Sequence, residues 1–323
     1  MALMLICSIS KQKNIKTSDS MKLYAPDYYN DFKCIADRCQ HNCCIGWEID
    51  IDDDTFEYYK DVDSDFGKRL RDNIINQDDY NCFKLTENER CPFLNENNLC
   101  DIILNLSEDA LCQICTDHPR FRNFYSDRIE VGLGLCCEEA AKLILTKQGK
   151  TKIVKIDNDK LAEELNDFEK SFFNKRNEYF EYSQNRELQI KERMSFYNHY
   201  RSKEFLQKYL SLEILDNNWK VIITELSECY DDIKDIEIPN EFDISFEQLL
   251  VYFTYRHFSL LLDGIDEASI LKFIKSSVNI IYALCQLHIS KNSKLVLEDI
   301  IEYSRMYSSE IEYSQENLDE LTT

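Results

Sequence analysis

Eleven of the chain's fourteen cysteines fall between Cys34 and Cys137, a span of 104 residues in a sequence of 323. This clustering constrains the fold more than any other feature. Disulfide frameworks staple small secreted domains that cannot build a core of their own. A chain of this length can bury a sizeable core. Its first apolar run, residues 2–9, has no basic residue before it and no small-x-small cleavage pattern, so it makes a poor export signal. In a reducing, cytoplasmic setting, clustered thiols serve as metal ligands. Met21 opens a more convincing start, Met-Lys-Leu-Tyr-Ala-Pro, and residues 1–20 are expected to be a disordered extension or a mis-assigned start.

Only 6 glycines and 4 prolines interrupt the chain, which favours a largely helical protein. The expected fold class is mainly α: an irregular cysteine-rich metal-binding N-terminal half, residues 21–148, packed on an all-helical C-terminal half, residues 149–310, with a flexible tail at 311–323. Within the first half, helices are expected at 54–76, 108–116 and 136–147, and a short strand near 127–135. Residues 146–158 read as a linker. Beyond it the 3.6-residue period predicts helices at 159–181, 185–197, 201–231, 245–262, 267–289 and 293–307. Ser245, Asp266 and Ser293 are the expected N-caps of the last three. The polar stretch 308–323 is expected to fray.

The formal charge is −22, with 60 acidic against 38 basic residues. Such a field repels a phosphate backbone, so nucleic acid is not an expected partner. It suits a cationic partner such as a lysine side chain, although a charged, solvated surface explains it more simply. No window approaches 18 apolar residues, so no membrane partner is expected.

Four cysteine motifs carry chemistry. Cys34-x4-Cys39-x3-Cys43-Cys44 places four thiols within eleven residues and runs into Ile45-Gly46-Trp47. Adjacent cysteines strain a single tetrahedral ion but can serve two irons of a cluster. Cys91-Pro92-Phe93-Leu94-x5-Cys100 contains a turn at 95–98. Cys112-x2-Cys115 leads into His118, Pro119 and Arg120. Cys136-Cys137 precedes a helix, whose N-terminus stabilises a thiolate. Thiolate-rich ligation selects zinc, copper(I) or iron–sulfur centres. Only one Cys-x2-Cys element is present, so the irregular spacing favours an iron–sulfur cluster, with zinc the alternative metal. Cys82 reads as a buried thiol.

Further signals are weaker. His41 is a possible ligand, and Arg120 is a candidate partner for a cofactor carboxylate, beside the simpler reading of a structural role. Trp47 is expected to shield the centre. Tyr252, Tyr255 and Arg256 could orient an amine, but core packing accounts for them more simply; His199, His257 and His288 read as packing or surface residues. Gly132-x-Gly134 lacks the third glycine and βαβ setting of a dinucleotide loop. No Ser/His/Asp arrangement suggests hydrolysis.

Tyr28-Tyr29-x-Asp31-Phe32-Lys33-Cys34, Cys43-Cys44-x-Gly46-Trp47, Cys91-Pro92-Phe93-Leu94, Cys115-x3-Pro119-Arg120 and Leu135-x-Cys137-x-Glu139-Ala140-Ala141 together resemble the flagellin lysine-N-methylase family. A weaker likeness resumes at Glu247-x3-Val251-Tyr252-x2-Tyr255-Arg256-x-Phe258. Residue by residue, the resemblance implies metal ligands at Cys34, Cys39, Cys43, Cys44, Cys91, Cys100, Cys115 and Cys137. Cys112 and Cys136 are additional thiols that blur this set. It further implies a cytoplasmic protein-lysine N-methyltransferase that uses S-adenosylmethionine, carries an iron–sulfur cluster of the 4Fe-4S type and acts on flagellin. The residues alone leave two rivals open: a non-enzymatic zinc- or iron-chelating protein and a redox protein. They identify no catalytic base.

Overall fold

The computed structural model describes residues 21–76, 80–157, 165–185 and 203–323. The expected extension at 1–20, most of the expected helix at 185–197, and His199 lie outside the described residues. The chain forms two compact units. The first holds residues 33–120; the second holds residues 21–32 and 121–323. Residues 21–32 and 121–148, expected in the cysteine-rich half, therefore belong with the helices.

The first unit is made of short elements. α1 (Asp53–Asp61) starts where the Asp52 carboxylate accepts the Thr55 amide at 3.0 Å. α2 (Asp65–Asp72) starts where the Ser64 hydroxyl accepts the Gly67 amide. The single helix expected over 54–76 is thus broken at 62–64, and 74–76 is a strand. The break needs Gly67: a Cβ there would lie 1.9 Å from the Val62 carbonyl oxygen. β2 (Asp50–Ile51), β3 (Ile74–Asn76) and β4 (Asn81–Phe83) form an antiparallel sheet in the order β2-β4-β3. α3 (Asp101–Asn105) and α4 (Gln113–Asp117) follow. The core gathers Ile49, Ile51, Tyr59, Phe83 and Phe93 with Cys91 and Cys112. The Phe83 and Phe93 rings meet edge-on at 4.9 Å.

The second unit combines a sheet with the helices. β1 (Lys22–Pro26) runs parallel to β6 (Arg128–Leu133) and antiparallel to β7 (Ile153–Lys155), with β5 (Arg120–Phe124) outside β6. The expected linker therefore contains a strand, β6 falls where a strand was expected near 127–135, and of the half expected to be all-helical only β7 joins this four-stranded sheet. Gly132 sits in β6 because a Cβ would strike the Phe121 ring at 2.3 Å. The helices are α5 (Glu138–Leu145), α6 (Asp167–Ser183), α7 (Lys203–Leu210), α8 (Asn217–Ile233), α9 (Asp243–His257), α10 (Glu267–Asn292), α11 (Leu297–Tyr307) and α12 (Gln315–Thr322).

Asp266 caps α10 as expected, accepting the Ser269 amide at 3.1 Å. Ser245 instead lies inside α9 and donates to the Leu145 carbonyl. Ser293 closes α10 in a left-handed conformation rather than opening α11. α10 is long and apolar enough to cross a membrane by length and composition, yet most of it is buried in the core. The tail does not fray: a π-helical turn, Ser308–Glu312, leads into α12, and Glu310, Ile311, Asn317 and Leu321 are buried.

Candidate metal centre

Backbone pairing in the first unit brings distant thiols together. Gly46, at φ +90, donates its amide to the Glu89 carbonyl, and Ile45 bridges Arg90. The Cys91 amide then meets the Cys44 carbonyl at 2.8 Å. Leu94 bridges Cys100 across the 95–98 turn. Arg90 clamps that turn, donating to the Leu94 and Asn95 carbonyls and to Asn98 Oδ1. Cys100 caps α3 and Cys112 caps α4. Cys112 and Cys115 face each other with 3.4 Å between their sulfurs.

Cys43, Cys44, Cys91, Cys100, Cys112 and Cys115 consequently lie within electrostatic reach of one another. Burial, backed by the neighbouring thiols, pushes Cys91 up to about 12. Burial also raises Cys100. Hydrogen bonds to Cys43 and Cys112, with burial, raise Cys44 and Cys115 respectively. Cys43 moves the other way, because the Cys44 thiol donates to it. The four raised thiols, Cys44, Cys91, Cys100 and Cys115, resist losing their protons together. A bound metal supplies the missing positive charge and reverses that preference. The donor set therefore suits a thiophilic metal or cluster. Among the described residues the cysteines form no disulfide, and no three side chains stand in metal-ligand geometry.

Five of the implied ligands, Cys43, Cys44, Cys91, Cys100 and Cys115, belong to this group, and Cys112 joins them. Cys34 and Cys39 lie on an adjoining turn. The Cys34 sulfur accepts the Ala36 amide, and the Cys39 thiol donates to the His41 carbonyl. His41 is exposed. Cys137 falls in the second unit, where it caps α5. Cys82 is fully buried in β4. Trp47 covers the first motif, its indole N–H donating to the Cys43 carbonyl and its ring 6.2 Å from that of His118. Burial, assisted by Arg120, lowers His118 to about 4. Arg120 donates to the Thr116 and His118 carbonyls, closing the end of α4.

The second unit holds a buried polar network centred on Glu312, a residue of the stretch expected to fray. Glu312, in the π-helical turn, accepts from Tyr252 (2.8 Å) and His257 (2.5 Å) and pairs with Arg256 Nε (3.2 Å). Burial alone would raise its carboxyl, but Arg256 and His257 outweigh burial and hold it below the ordinary value. Burial lowers His257 despite the opposing pull of Glu312. Tyr252 and Tyr255 pack in the core as expected, and the Tyr255 hydroxyl donates to the Val131 carbonyl. The signal available in the sequence was the apolar spacing of Ile311, Leu318 and Leu321 within the polar tail.

Comparison with known proteins now bears on these sites. Residues 122–323 match the family model described as the FliB lysine N-methylase C-terminal domain. Over 126 residues, 37% of this chain, the sequence is 31% identical to a "Flagellar biosynthetic protein FliU" of Salmonella muenchen, covering 75% of that protein. It is 30% identical over 126 residues to proteins named "Lysine-N-methylase" from Salmonella typhimurium and Salmonella choleraesuis. The match spans only 31% of the length of each methylase. No solved structure matches the chain.

Proposed function

Because the chain belongs to the FliB lysine N-methylase family, we propose that it is a protein-lysine N-methyltransferase acting on flagellin with S-adenosylmethionine, and that its cysteine unit holds an iron–sulfur cluster. The family match over 122–323 carries the enzymatic part of this reading. The convergence of Cys43, Cys44, Cys91, Cys100, Cys112 and Cys115 supports the cluster. Cys137 and the adjoining Cys34 and Cys39 remain ligands by resemblance.

S-adenosylmethionine supplies an electrophilic methyl group. Its carbon–sulfur bond breaks as the bond to the lysine nitrogen forms, the thioether leaves, and the new ammonium loses a proton to a base. Only a neutral lysine amine is nucleophilic, so the protein must present that amine desolvated or beside an acceptor. Arg120 is the candidate partner for the cofactor carboxylate, with Nη1 already held by the Thr116 and His118 carbonyls. The net charge of −22 favours a lysine-bearing partner.

The test is incubation of anaerobically purified protein with flagellin and S-adenosylmethionine, followed by peptide mass analysis. Methylated lysines support the reading. Unmodified flagellin, with a brown cluster-loaded protein in hand, sinks it for this substrate. A colourless, zinc-loaded protein sinks the iron–sulfur assignment.

A further inference from the structure

The segment Glu312–Tyr313 reaches the thiol turn at 135–137 along two routes. On the first, Tyr252 uses its whole hydrogen-bonding capacity. Its hydroxyl donates to Glu312 Oε2 at 2.8 Å, accepts from Arg256 Nη1 at 2.8 Å and accepts the Leu135 amide at 3.3 Å. On the second, Tyr313 Oη meets Cys136 Sγ at 2.9 Å. Arg256 joins the routes: it pairs with the Glu312 carboxylate, donates to the Glu312 carbonyl, and lies over the Phe121 and Tyr313 rings at 4.9 and 5.4 Å. The next residue, Cys137, opens α5.

Glu312 is fully buried, and so are its Tyr252 and His257 partners. Buried ionic groups add little net stability compared with apolar side chains of the same volume. What they supply here is direction: each donor has one acceptor, and the acceptors lead to one three-residue turn. We propose that Glu312 is a positioning residue that fixes the Cys136–Cys137 turn through Tyr252, with Arg256 and Tyr313 completing the hold. The geometry stands independently of metal binding; its consequence for a metal rests on the reading of Cys137 as a ligand.

The experiment measures site-resolved iodoacetamide labelling of the full chain by mass spectrometry. Cys285, fully buried in α10, reports whether the unit remains folded. In Glu312→Gln, Cys136 labels at least about tenfold faster than in wild type while Cys285 stays protected, the factor expected when a charge-assisted hydrogen bond no longer opposes local opening. Unchanged Cys136 labelling with Cys285 protected overturns the proposal. Should Glu312→Gln expose Cys285, Tyr252→Phe decides, because it keeps the Glu312 contacts with Arg256 Nε and His257 and removes only the Tyr252 hydroxyl, with its bonds to Glu312 Oε2, Arg256 Nη1 and the Leu135 amide. Faster Cys136 labelling in that variant supports the proposal, and an unchanged rate overturns it. Iron content is read separately on anaerobically purified protein. Lower iron in Tyr252→Phe supports Cys137 as a ligand. A wild-type protein without iron overturns the ligand reading and leaves the positioning claim to the labelling rates.

Discussion

Among the described residues, the main core of the cysteine unit gathers eleven buried apolar side chains, two of them thiols, whereas that of the helical unit gathers forty-three. The first unit is tied by short caps, a small sheet and turns such as that at 95–98. The second is tied by long helices around Trp219, Phe253, Phe258 and Tyr307. Apolar burial grows with the size of a core, and so does the stability available without help. The contrast teaches that the two units should respond differently to the same insult: on the proposed reading the first depends on a metal held by its thiols, the second on packing.

The largest effect is expected from stripping the metal proposed for the thiol centre. Structural thiolate sites contribute roughly 10 kcal/mol or more to folding. Anaerobic chelation should therefore abolish amide protection across residues 33–120 while α8 to α11 keep theirs, read by hydrogen exchange. Equal loss in both units would break the comparison.

A packing lesion should do the reverse. Trp219 is 1% exposed and meets the Tyr307 ring edge-on at 6.0 Å. Trp219→Ala is expected to cost about 3–5 kcal/mol in the helical unit, measured by denaturant unfolding, with thiol labelling of Cys91 unchanged. A small loss would mean that the helical core can collapse around the hole.

The pH response is smaller and belongs to the second unit. Burial, helped by Asp216 and Glu213, pushes the Glu310 carboxyl up from 4.5 to about 7, although it accepts the Leu215 and Asp216 amides. A carboxyl with a raised folded-state pKa adds stability that is complete below about 4.5 and is lost as pH rises through about 7. Melting temperature should fall over that window and flatten in Glu310→Gln. An identical slope in both proteins would remove Glu310 from the account.

The same contrast explains what could be read from the sequence. The long helices were legible because the 3.6-residue period of a segment such as 267–289 is a local signal, and Asp266 capped it as read. The break at 62–64 was legible only in hindsight, through Ser64 as a cap and Gly67 against Val62. β7 was missed because three residues carry too little period to separate a strand from a linker. At the candidate centre, the family resemblance named Cys43, Cys44, Cys91, Cys100 and Cys115 among its eight ligands, and the structure gathers these five with Cys112. Cys112, an additional thiol in the sequence reading, joins the group because its sulfur faces that of Cys115 at 3.4 Å. The Glu312 network was illegible for a different reason: its partners lie 55 to 177 residues away in sequence.

The most direct test of the central claim is the mass of flagellin peptides after incubation with S-adenosylmethionine and the anaerobically purified chain. The account predicts lysine-containing peptides heavier by whole methyl groups, dependent on intact protein. Peptides of unchanged mass, with both units folded and the thiol centre loaded, would contradict it.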